Sequence, residues 1–283
     1  MRQPIVLPER ETTTELDADE VALTWIGTAT VLLQLGGFTV LTDPNFLHQG
    51  DHAPLGYGLR SRRLTNPAME IADLSPLDLI VLSHHHGDHF DHVAARELPK
   101  AVPIVTTRHA ARKLERQAFT RPIAVDTWEA VVFERGDERL SVTALPGQHA
   151  PAPLRALLPP VMGSMLELGT GAGAPRFRLY ITGDTLLHDR LAEIPARYPD
   201  IDLALLHLGG TRVLGVMVTM DGRDGVRALE LIKPAQAVPI HFDDYTVFRS
   251  PLSDFAKEVE RRRPSAQVRY LERGETWRLR VEH

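Results

Sequence analysis

Residues 84–89 read His84-His85-His86-Gly87-Asp88-His89, and they follow the short apolar run Leu79-Ile80-Val81-Leu82. The apolar run predicts a strand that is buried on both faces, so the polar residues stand where this strand ends. Burying three imidazoles and a carboxylate without partners would cost several kcal/mol. A metal ion offsets that cost, because neutral imidazole and carboxylate are good ligands for zinc and similar ions. The stretch therefore predicts a metal site at the end of a buried strand.

The composition of the chain limits the class of protein. The chain has 283 residues, of which 43% are hydrophobic and 24% are charged, as is ordinary for a globular protein. A net charge of -5 argues against a nucleic-acid-binding surface. There is no cysteine, which excludes disulfides, thiolate ligands and a cysteine nucleophile. No apolar stretch is long enough to cross a membrane and no leader pattern opens the chain, so the default expectation is a cytoplasmic location.

Strand and helix patterns are mixed throughout the chain and predict one α/β domain. Residues 1–19 are polar and irregular, and we expect them to form an N-terminal arm that precedes a single domain over residues 20–283. Residues 30–42 predict a hairpin around Gly36-Gly37. The last two strand patterns, at residues 268–271 and 276–279, predict a closing hairpin.

Helices are predicted where a capping side chain precedes an apolar periodicity. The expected caps are Asp91, Thr107 and Asp221, each of which can accept a hydrogen bond from the first turn of the helix that follows. The helix after Asp221 places apolar residues on one face and is predicted to end at Ile232, before Pro234.

Three further candidate metal ligands follow other predicted strands. His149 and His241 each come just after a strand pattern, and Asp184 follows the strand pattern 179–181 and two intervening residues. Ligands at strand ends are typical of a site that is built on one rim of a sheet scaffold. With the first stretch, they supply five histidines and two aspartates, which is enough for two metal ions.

The order of these residues resembles the metallo-β-lactamase superfamily. The H-x-H-x-D-H run, a later histidine, an aspartate after a strand and a glycine, and a histidine near the C-terminus occur here in the family's order, and the resemblance extends from about Val21 to Phe255. Four segments look like signatures of the branch that contains N-acyl-phosphatidylethanolamine-hydrolysing phospholipase D and L-ascorbate-6-phosphate lactonase. They are Trp25-Ile26-Gly27-Thr28-Ala29-Thr30, Leu41-Thr42-Asp43-Pro44, Ile181-Thr182-Gly183-Asp184-Thr185 and Pro239-Ile240-His241-Phe242. The resemblance implies an αββα sandwich with the site at one edge, between two sheets.

The resemblance also implies a ligand set for two divalent ions, zinc in the first place and manganese or iron as alternatives. The expected ligands of the first ion are His84, His86 and His149. The expected ligands of the second ion are Asp88, His89 and His241, with Asp184 bridging both ions. In the implied reaction a hydroxide shared by the two ions attacks the substrate, and Asp88 orients that hydroxide or relays its proton.

These features predict a dinuclear metal-dependent hydrolase that acts on a small ester, lactone or phosphodiester. A carboxylate at Asp184, where the best-known zinc β-lactamases carry a cysteine, favours the pattern of lactonases, thioester hydrolases and phosphodiesterases. Two alternatives remain open, a nuclease of the same fold and an iron-dependent oxidoreductase on the same fold. The net charge argues against the nuclease, whereas histidine and aspartate alone do not fix the metal. The expected partner is a small molecule, not nucleic acid, and association into a homo-oligomer stays open.

For several residues near the expected ligands, the sequence allows two interpretations of their role. Asp43 resembles a family residue that supports the ligand loop from behind, but Asp-Pro also forms turns. His207 ends a buried strand, where it lines the site or only packs. Asp243, Asp244 and Tyr245 directly follow a ligand, and they contact the substrate or close a turn.

Flanking polar residues give weaker signals. Arg60, Arg62 and Arg63 lie in a stretch that either meets a substrate phosphate or forms a solvated loop, and the solvated loop is favoured. His188 is expected to begin a helix. His85 and His92 are expected to orient loops or to face water.

The segment 150–163 directly follows a candidate ligand and combines four prolines with several apolar residues. These apolar residues are Leu154, Leu157, Leu158, Val161 and Met162. Exposed loops seldom carry so many apolar side chains without a partner surface. One hypothesis is an apolar wall or lid that favours a substrate with a hydrophobic portion, and the alternative is a loop that packs on the core or on a second subunit.

Overall fold

The computed structural model describes residues 2–9, 16–17, 19–56, 58–152, 154–213 and 215–281. Parts of three predictions lie outside the described residues. They are residues 1, 10–15 and 18 of the arm, residues 57, 214, 282 and 283 of the domain, and Pro153 of the segment 150–163. The described strands are β1 (Ile5–Val6), β2 (Glu20–Gly27), β3 (Thr30–Leu35), β4 (Phe38–Thr42), β5 (His52–Gly56), β6 (Leu59–Arg62), β7 (Leu79–Leu82), β8 (Ile104–Thr106), β9 (Pro122–Ala124), β10 (Ala130–Arg135), β11 (Glu138–Leu145), β12 (Gly163–Thr170), β13 (Phe177–Ile181), β14 (Leu203–His207), β15 (Arg212–Val213), β16 (Val216–Met217), β17 (Gln236–Ile240), β18 (Gln267–Val268) and β19 (Thr276–Arg280). The described α-helices are α1 (His92–Glu97), α2 (Arg108–Arg116), α3 (Glu193–Arg197), α4 (Gly222–Ile232) and α5 (Leu252–Arg262).

Two large sheets form the centre of the molecule. The first has seven strands in the order β19-β2-β3-β4-β7-β8-β9, and the second has eight in the order β1-β10-β11-β12-β13-β14-β17-β18. Two short hairpins, β5-β6 and β15-β16, are separate from both sheets. Within the described residues, no helix is long and apolar enough to cross a membrane.

The core shows why these strands are buried on both faces. In β7, Leu79 and Val81 pack in the main core together with residues of the second sheet, whereas Ile80 and Leu82 pack with residues of α1 and α2. This alternation follows from the two-residue side-chain period of a strand. Since α4 packs its apolar face onto the second sheet's side of the main core, the layers are helix, sheet, sheet and helix. The predicted α/β class and αββα sandwich are confirmed.

Local signals fix the ends of the helices. The side chains of Asp91, Thr107 and Asp221 each accept a hydrogen bond from the backbone N–H three residues further on, at the starts of α1, α2 and α4. Such a cap is worth about 1 kcal/mol. Helix α4 ends with Lys233 in the left-handed conformation, directly before Pro234, so the predicted end at Ile232 is confirmed.

The predicted closing hairpin is wrong. Strand β18 pairs with β17 in the second sheet, and β19 pairs with β2 in the first sheet. An alternating pattern with a turn identifies strands, but it does not tell which edge each strand joins, and here each of the two strands extends a different sheet. The expected arm is also not irregular throughout, because β1 pairs with β10 and Leu7 is buried. The boundary at residue 19 stays a prediction.

Strand direction brings the candidate ligands to one edge. Strands β4 and β7 are parallel neighbours in the first sheet, and β13, β14 and β17 are parallel neighbours in the second. Strand β11 runs in the same direction as β13, because both are antiparallel to β12. The carboxyl ends of parallel strands meet at the same edge of a sheet, and the residues that follow these strands therefore converge.

Candidate metal centre

The first ligand stretch is held by a close backbone contact with the β5-β6 hairpin. The Gly87 N–H donates a hydrogen bond of 3.0 Å to the carbonyl oxygen of Pro54. A Cβ atom at residue 87 would lie 2.4 Å from Pro54 Cδ, so only glycine fits there. Asn45 Nδ2 donates to the Gly87 carbonyl oxygen at 2.9 Å. The loop after β7 is therefore fixed from both sides.

Three histidines form a first cluster of ring nitrogens. His84 Nε2 lies 3.0 Å from His86 Nδ1, and His86 Nδ1 lies 3.2 Å from His149 Nε2. His84 and His149 are buried, and His86 is half-buried. These three nitrogens face one another closely enough to hold one ion between them. The structure thus brings together the three residues that were expected to hold the first metal.

Four residues form a second cluster next to the first. Their ligand atoms lie within 4.8 Å of one another, and the residues are Asp88, His89, Asp184 and His241. His89 Nε2 is 3.3 Å from Asp184 Oδ2. The rings of His84 and His89 have centroids 4.2 Å apart, which places the two clusters side by side. All seven expected ligands therefore lie in one centre, and the bridging role of Asp184 stays a prediction.

The second nitrogen of each buried ligand histidine has a partner of its own. These partners are Ser83 Oγ for His84 Nδ1 at 3.0 Å, Val218 O for His149 Nδ1 at 2.9 Å, Asp43 Oδ2 for His89 Nδ1 at 2.9 Å and Leu208 O for His241 Nδ1 at 3.0 Å. Such contacts fix the ring orientation and, at a carboxylate or carbonyl, the tautomer. Each Nε2 atom is left to point into the centre.

Several buried polar atoms in the second cluster have no hydrogen-bond partner among the described residues. They are Asp88 Oδ1, His89 Nε2, Asp184 Oδ1 and His241 Nε2. Native proteins rarely leave such atoms unpaired. Imidazole nitrogen and carboxylate oxygen are suitable donors for zinc, and also for manganese or iron. The donor set of the centre therefore fits divalent metal ions.

The electrostatics differ between the two clusters. Burial and the neighbouring His149 lower the pKa of His86 to about 3, and burial also lowers the pKa of His84 and His149. Those imidazoles are neutral, as metal ligands must be. In the second cluster burial lowers the pKa of His89, but the carboxylate of Asp184 and two further aspartates outweigh it and raise that pKa. The carboxylates of the second cluster thus favour positive charge there, which suits a cation.

Asp43 lies behind the second cluster and contacts its ligand loop. Its carboxylate accepts hydrogen bonds from the Ser83 N–H at 2.6 Å and from Ser83 Oγ at 2.8 Å, in addition to its contact with His89. Burial raises the pKa of Asp43, but His89 and His207 outweigh this and lower it to about 2. His207 Nε2 lies 3.4 Å from Asp43 Oδ2. Both residues are placed to support His89 from behind.

The second sheet presents its ligands through unusual backbone conformations. His241 has a φ of 63°, in the left-handed region. Gly183 also has a φ of 63°, and a Cβ atom there would lie 2.7 Å from the carbonyl oxygen of Met162. Left-handed conformations of non-glycine residues cluster at functional sites, where the surroundings must hold them in place. Here the His241 N–H donates to the Thr28 carbonyl oxygen at 3.0 Å.

The residues after His241 hold the two sheets together and do not border the cavity beside His86. Asp244 accepts a hydrogen bond from the Thr28 N–H at 2.7 Å and forms an ion pair of 3.3 Å with Arg63. Tyr245 is buried and donates to Asn45 Oδ1 at 2.9 Å. Asp243 is exposed and pairs with Arg273 at 2.6 Å. A substrate contact by Asp243 or Tyr245 stays a prediction.

The position of Arg63 contradicts the prediction that Arg60, Arg62 and Arg63 lie in a solvated loop. Arg60 and Arg62 are exposed, but the side chain of Arg63 is 0% exposed and lies against Thr28, Asn45 and Asp244. The solvated-loop reading is therefore wrong for Arg63. Its buried partners lie in distant parts of the chain, so no local signal marks it.

His188 and His92 lie as expected. His188 directly precedes a short 3-10 helix, Asp189–Ala192, and is partly buried, whereas His92 is exposed.

A cavity of about 650 Å³ opens beside His86. One wall consists of Pro54, Leu55 and residues 156–160, and the opposite wall includes side chains of α2. Val161 and Met162, in contrast, are buried in the structure. The segment 150–163 thus borders the cavity with one part and packs inward with its end. The lining side chains of α2 are His109 and Lys113, with Gln117 at the end of the helix. Their four-residue spacing places them on one face of the helix. No pattern in the sequence predicts that this face borders a cavity.

Comparison with known proteins identifies the family. A family model described as the beta-lactamase superfamily domain matches residues 39–242. The chain belongs to the metallo-β-lactamase superfamily. The matched residues begin in β4 and end just after His241, and so include all seven candidate ligands.

Relatives in this superfamily cover most of the chain. A UPF0173 metal-dependent hydrolase of Thermus thermophilus is 30% identical over 260 residues, which are 92% of this chain and 99% of the relative. An uncharacterized protein of Mycobacterium tuberculosis is 26% identical over 264 residues, which are 90% of this chain. The match spans 66% of that relative's length.

Two solved structures share the fold of this chain. A possible metal-dependent hydrolase from Veillonella parvula has a TM-score of 0.75 at 23% identity, with 90% of this chain and 98% of that chain covered. The isothiocyanate hydrolase from Delia radicum gut bacteria has a TM-score of 0.74 at 22% identity, with the same coverage. At this identity the likeness is one of fold.

Proposed function

We propose that the protein is a metal-dependent hydrolase whose centre holds two divalent ions, zinc in the first place. The observation that carries this proposal is the convergence of seven buried or half-buried ligands, several of them with unpartnered atoms that point inward. His84, His86 and His149 would hold the first ion. Asp88, His89 and His241 would hold the second ion, and Asp184 would serve both. The metal-dependent hydrolases among its relatives support this assignment.

The chemistry of the site follows from its donors and its cavity. When bound, two divalent ions would supply a water with a pKa lowered to about 7 and would polarise the substrate bond. Asp88 would orient that water or accept its proton. Asp43 holds the ring of His89 in the orientation that binding needs. The cavity beside His86 admits a small substrate.

The substrate we propose contains a small ester, lactone or phosphodiester. This choice rests on the carboxylate at position 184 and on the signature segments that resemble the phospholipase D and lactonase branch. The intact ligand set favours hydrolysis over an iron-dependent oxidation, and the net charge of -5 does not favour a nuclease. A cytoplasmic location stays a prediction.

The test combines elemental analysis with a hydrolysis panel. Protein purified without added metal and then reloaded with zinc should contain about two ions per chain, as a dinuclear site requires. A panel of lactones, esters, thioesters and phosphodiesters, with an isothiocyanate added, should reveal turnover that a chelator abolishes. The variant His52→Ala is a matched control, because His52 is exposed and lies outside both clusters. Fewer than one ion per chain after reloading, or no hydrolysis of any class, would contradict the proposal.

A further inference from the structure

The cavity beside His86 has two chemically different walls. Pro54, Leu55 and the residues Leu157 and Leu158 form an apolar wall, and Leu157 is 51% exposed. Exposed apolar side chains that line a cavity are suited to pack against the apolar portion of a ligand. The opposite wall is polar and belongs to α2. A ligand that fills the cavity therefore meets both kinds of surface.

The polar wall carries the ammonium group of Lys113. His109, Lys113 and Gln117 lie on one face of α2 and its C-terminal end at intervals of four residues, and all three border the cavity. Burial and the neighbouring Arg116 lower the pKa of Lys113. Burial and Lys113 lower the pKa of His109.

Nothing in the described part of the chain neutralises this wall. No described carboxylate forms an ion pair with Lys113, and His109 Nδ1 is buried without a hydrogen-bond partner. The one acidic residue that borders the cavity is Asp91, and its carboxylate already accepts hydrogen bonds from Leu47 N–H and Ala94 N–H, at 2.8 Å each. A half-buried ammonium group without a partner favours an anionic ligand.

We propose that the cavity binds a substrate with an anionic group, held by Lys113 and His109, and an apolar portion that packs on Leu157 and Leu158. The anionic group, a carboxylate, sulfonate or phosphate, is distinct from the bond that is cleaved beside His86. This proposal rests on the proposed hydrolytic function, because it names the substrate class of the same site. Lys113 determines which substrates bind and takes no part in the bond cleavage.

Binding of two matched fluorescent probes to the zinc-loaded protein tests the subsite without any turnover. Anilinonaphthalene sulfonate has an apolar body and an anionic group, and N-phenylnaphthylamine has nearly the same body without the charge. Lys113→Gln should weaken binding of the anionic probe about 10-fold, the effect of one lost charge-assisted hydrogen bond, and should change binding of the neutral probe less than about 2-fold. Lys113→Arg should retain most of the anionic preference.

The matched control is Arg112→Gln, which removes the same charge from the same helix at an exposed residue outside the cavity. It should leave the binding of both probes nearly unchanged. The proposal is overturned if Lys113→Gln affects both probes equally or neither, if Arg112→Gln has the same effect, or if the wild-type protein binds neither probe.

A kinetic comparison separates this proposal from the proposed function. Nitrophenyl hydrogen glutarate and its methyl-capped diester differ only in a terminal carboxylate. The wild-type enzyme should have a lower KM for the acid, and Lys113→Gln should remove that difference by raising the KM for the acid. Hydrolysis of both esters with no dependence on Lys113 overturns the subsite. Charge-selective probe binding with no hydrolysis of any substrate overturns the hydrolase and leaves the anion subsite standing.

Discussion

The two sheets contribute to the metal centre in different ways. The first sheet supplies four candidate ligands within the six residues 84–89, all from the loop after β7. The second sheet supplies one ligand at a time, His149, Asp184 and His241, from turns that follow three different strands. The contiguous half of the centre, residues 84–89, depends on the geometry of one loop. The dispersed half, His149, Asp184 and His241, depends on how several strands are aligned. A single change in the dispersed half therefore removes a contribution that no neighbouring residue can replace.

The largest expected effect is that of Asp184→Ala. If Asp184 bridges both ions, its loss should lower kcat/KM by about 1,000-fold or more, which is about 4 kcal/mol, and should reduce the occupancy of both metals. His149→Ala should remove mainly one ion, because it contributes to the first cluster alone. Elemental analysis and kcat/KM on the best panel substrate measure both effects.

The matched control for Asp184→Ala is Asp189→Ala, which removes an exposed carboxylate five residues further on. It should keep both metals and normal turnover. Retention of both ions and near-normal turnover by Asp184→Ala would show that the bridging assignment is wrong.

Metal removal should produce the next largest effect, on stability. The candidate centre joins residues from both sheets, so ions held there would bind the folded protein and not the unfolded chain. At a free zinc concentration 1,000 times the Kd, binding adds about 4 kcal/mol to the free energy of unfolding. For a chain of this size that corresponds to a rise in Tm of roughly 10 °C. Thermal unfolding with a chelator, and again after zinc is restored, measures it.

The Asp184→Ala variant tests whether the stabilising zinc binds at the candidate centre. If both sheets are joined through the metals, the Tm of this variant should respond much less to zinc than that of the wild-type protein. An equal response in both proteins would show that the stabilising zinc binds elsewhere on the chain.

A smaller effect is expected from residues that hold the ligands in place. Asp43→Asn keeps the size of the side chain but weakens its contact with His89, and it should lower the affinity for the second ion about 10- to 100-fold. Thr219→Val removes the 3.1 Å hydrogen bond that Thr219 Oγ1 donates to Asp184 Oδ2. Its effect should be smaller, since one donor is lost and the bonding of His89 is intact. Titration against a competing chelator measures both affinities, and a change of less than about 2-fold for Asp43→Asn would contradict its supporting role.

The same contrast explains what could be predicted from the sequence. The first half of the centre is local, and so are the helix caps at Asp91, Thr107 and Asp221; each is decided by residues a few positions apart. The dispersed ligands could be proposed only because each follows a strand pattern. Their convergence depends on the common direction of β11, β13, β14 and β17 in the second sheet, which no short stretch encodes.

The errors have the same cause. Strands β18 and β19 join different sheets because each finds a free edge there, and the edge is defined by distant strands. Arg63 is buried because Asp244, far along the chain, pairs with it. The role of the α2 face with His109 and Lys113 was missed because residues 156–160, which border the same cavity, lie far along the chain. In each case the local pattern predicted the secondary-structure element correctly but did not indicate which part of the chain packs against it.

The smallest effect is expected from the apolar wall that the dispersed half carries after His149. Replacing Leu157 and Leu158 by Ser should raise KM for substrates with a long apolar chain by about 3- to 10-fold, since each buried methylene contributes about 0.8 kcal/mol and only part of the chain is covered. Short-chain substrates should change less, and metal content should stay the same. The control is Val6→Ser with Tyr270→Ser, two exposed apolar residues that do not border the cavity. Val161 and Met162 are left unchanged because they are buried. Equal kinetics on long and short chains would leave the segment a packing role only, and loss of an oligomer with unchanged kinetics would make it a subunit contact.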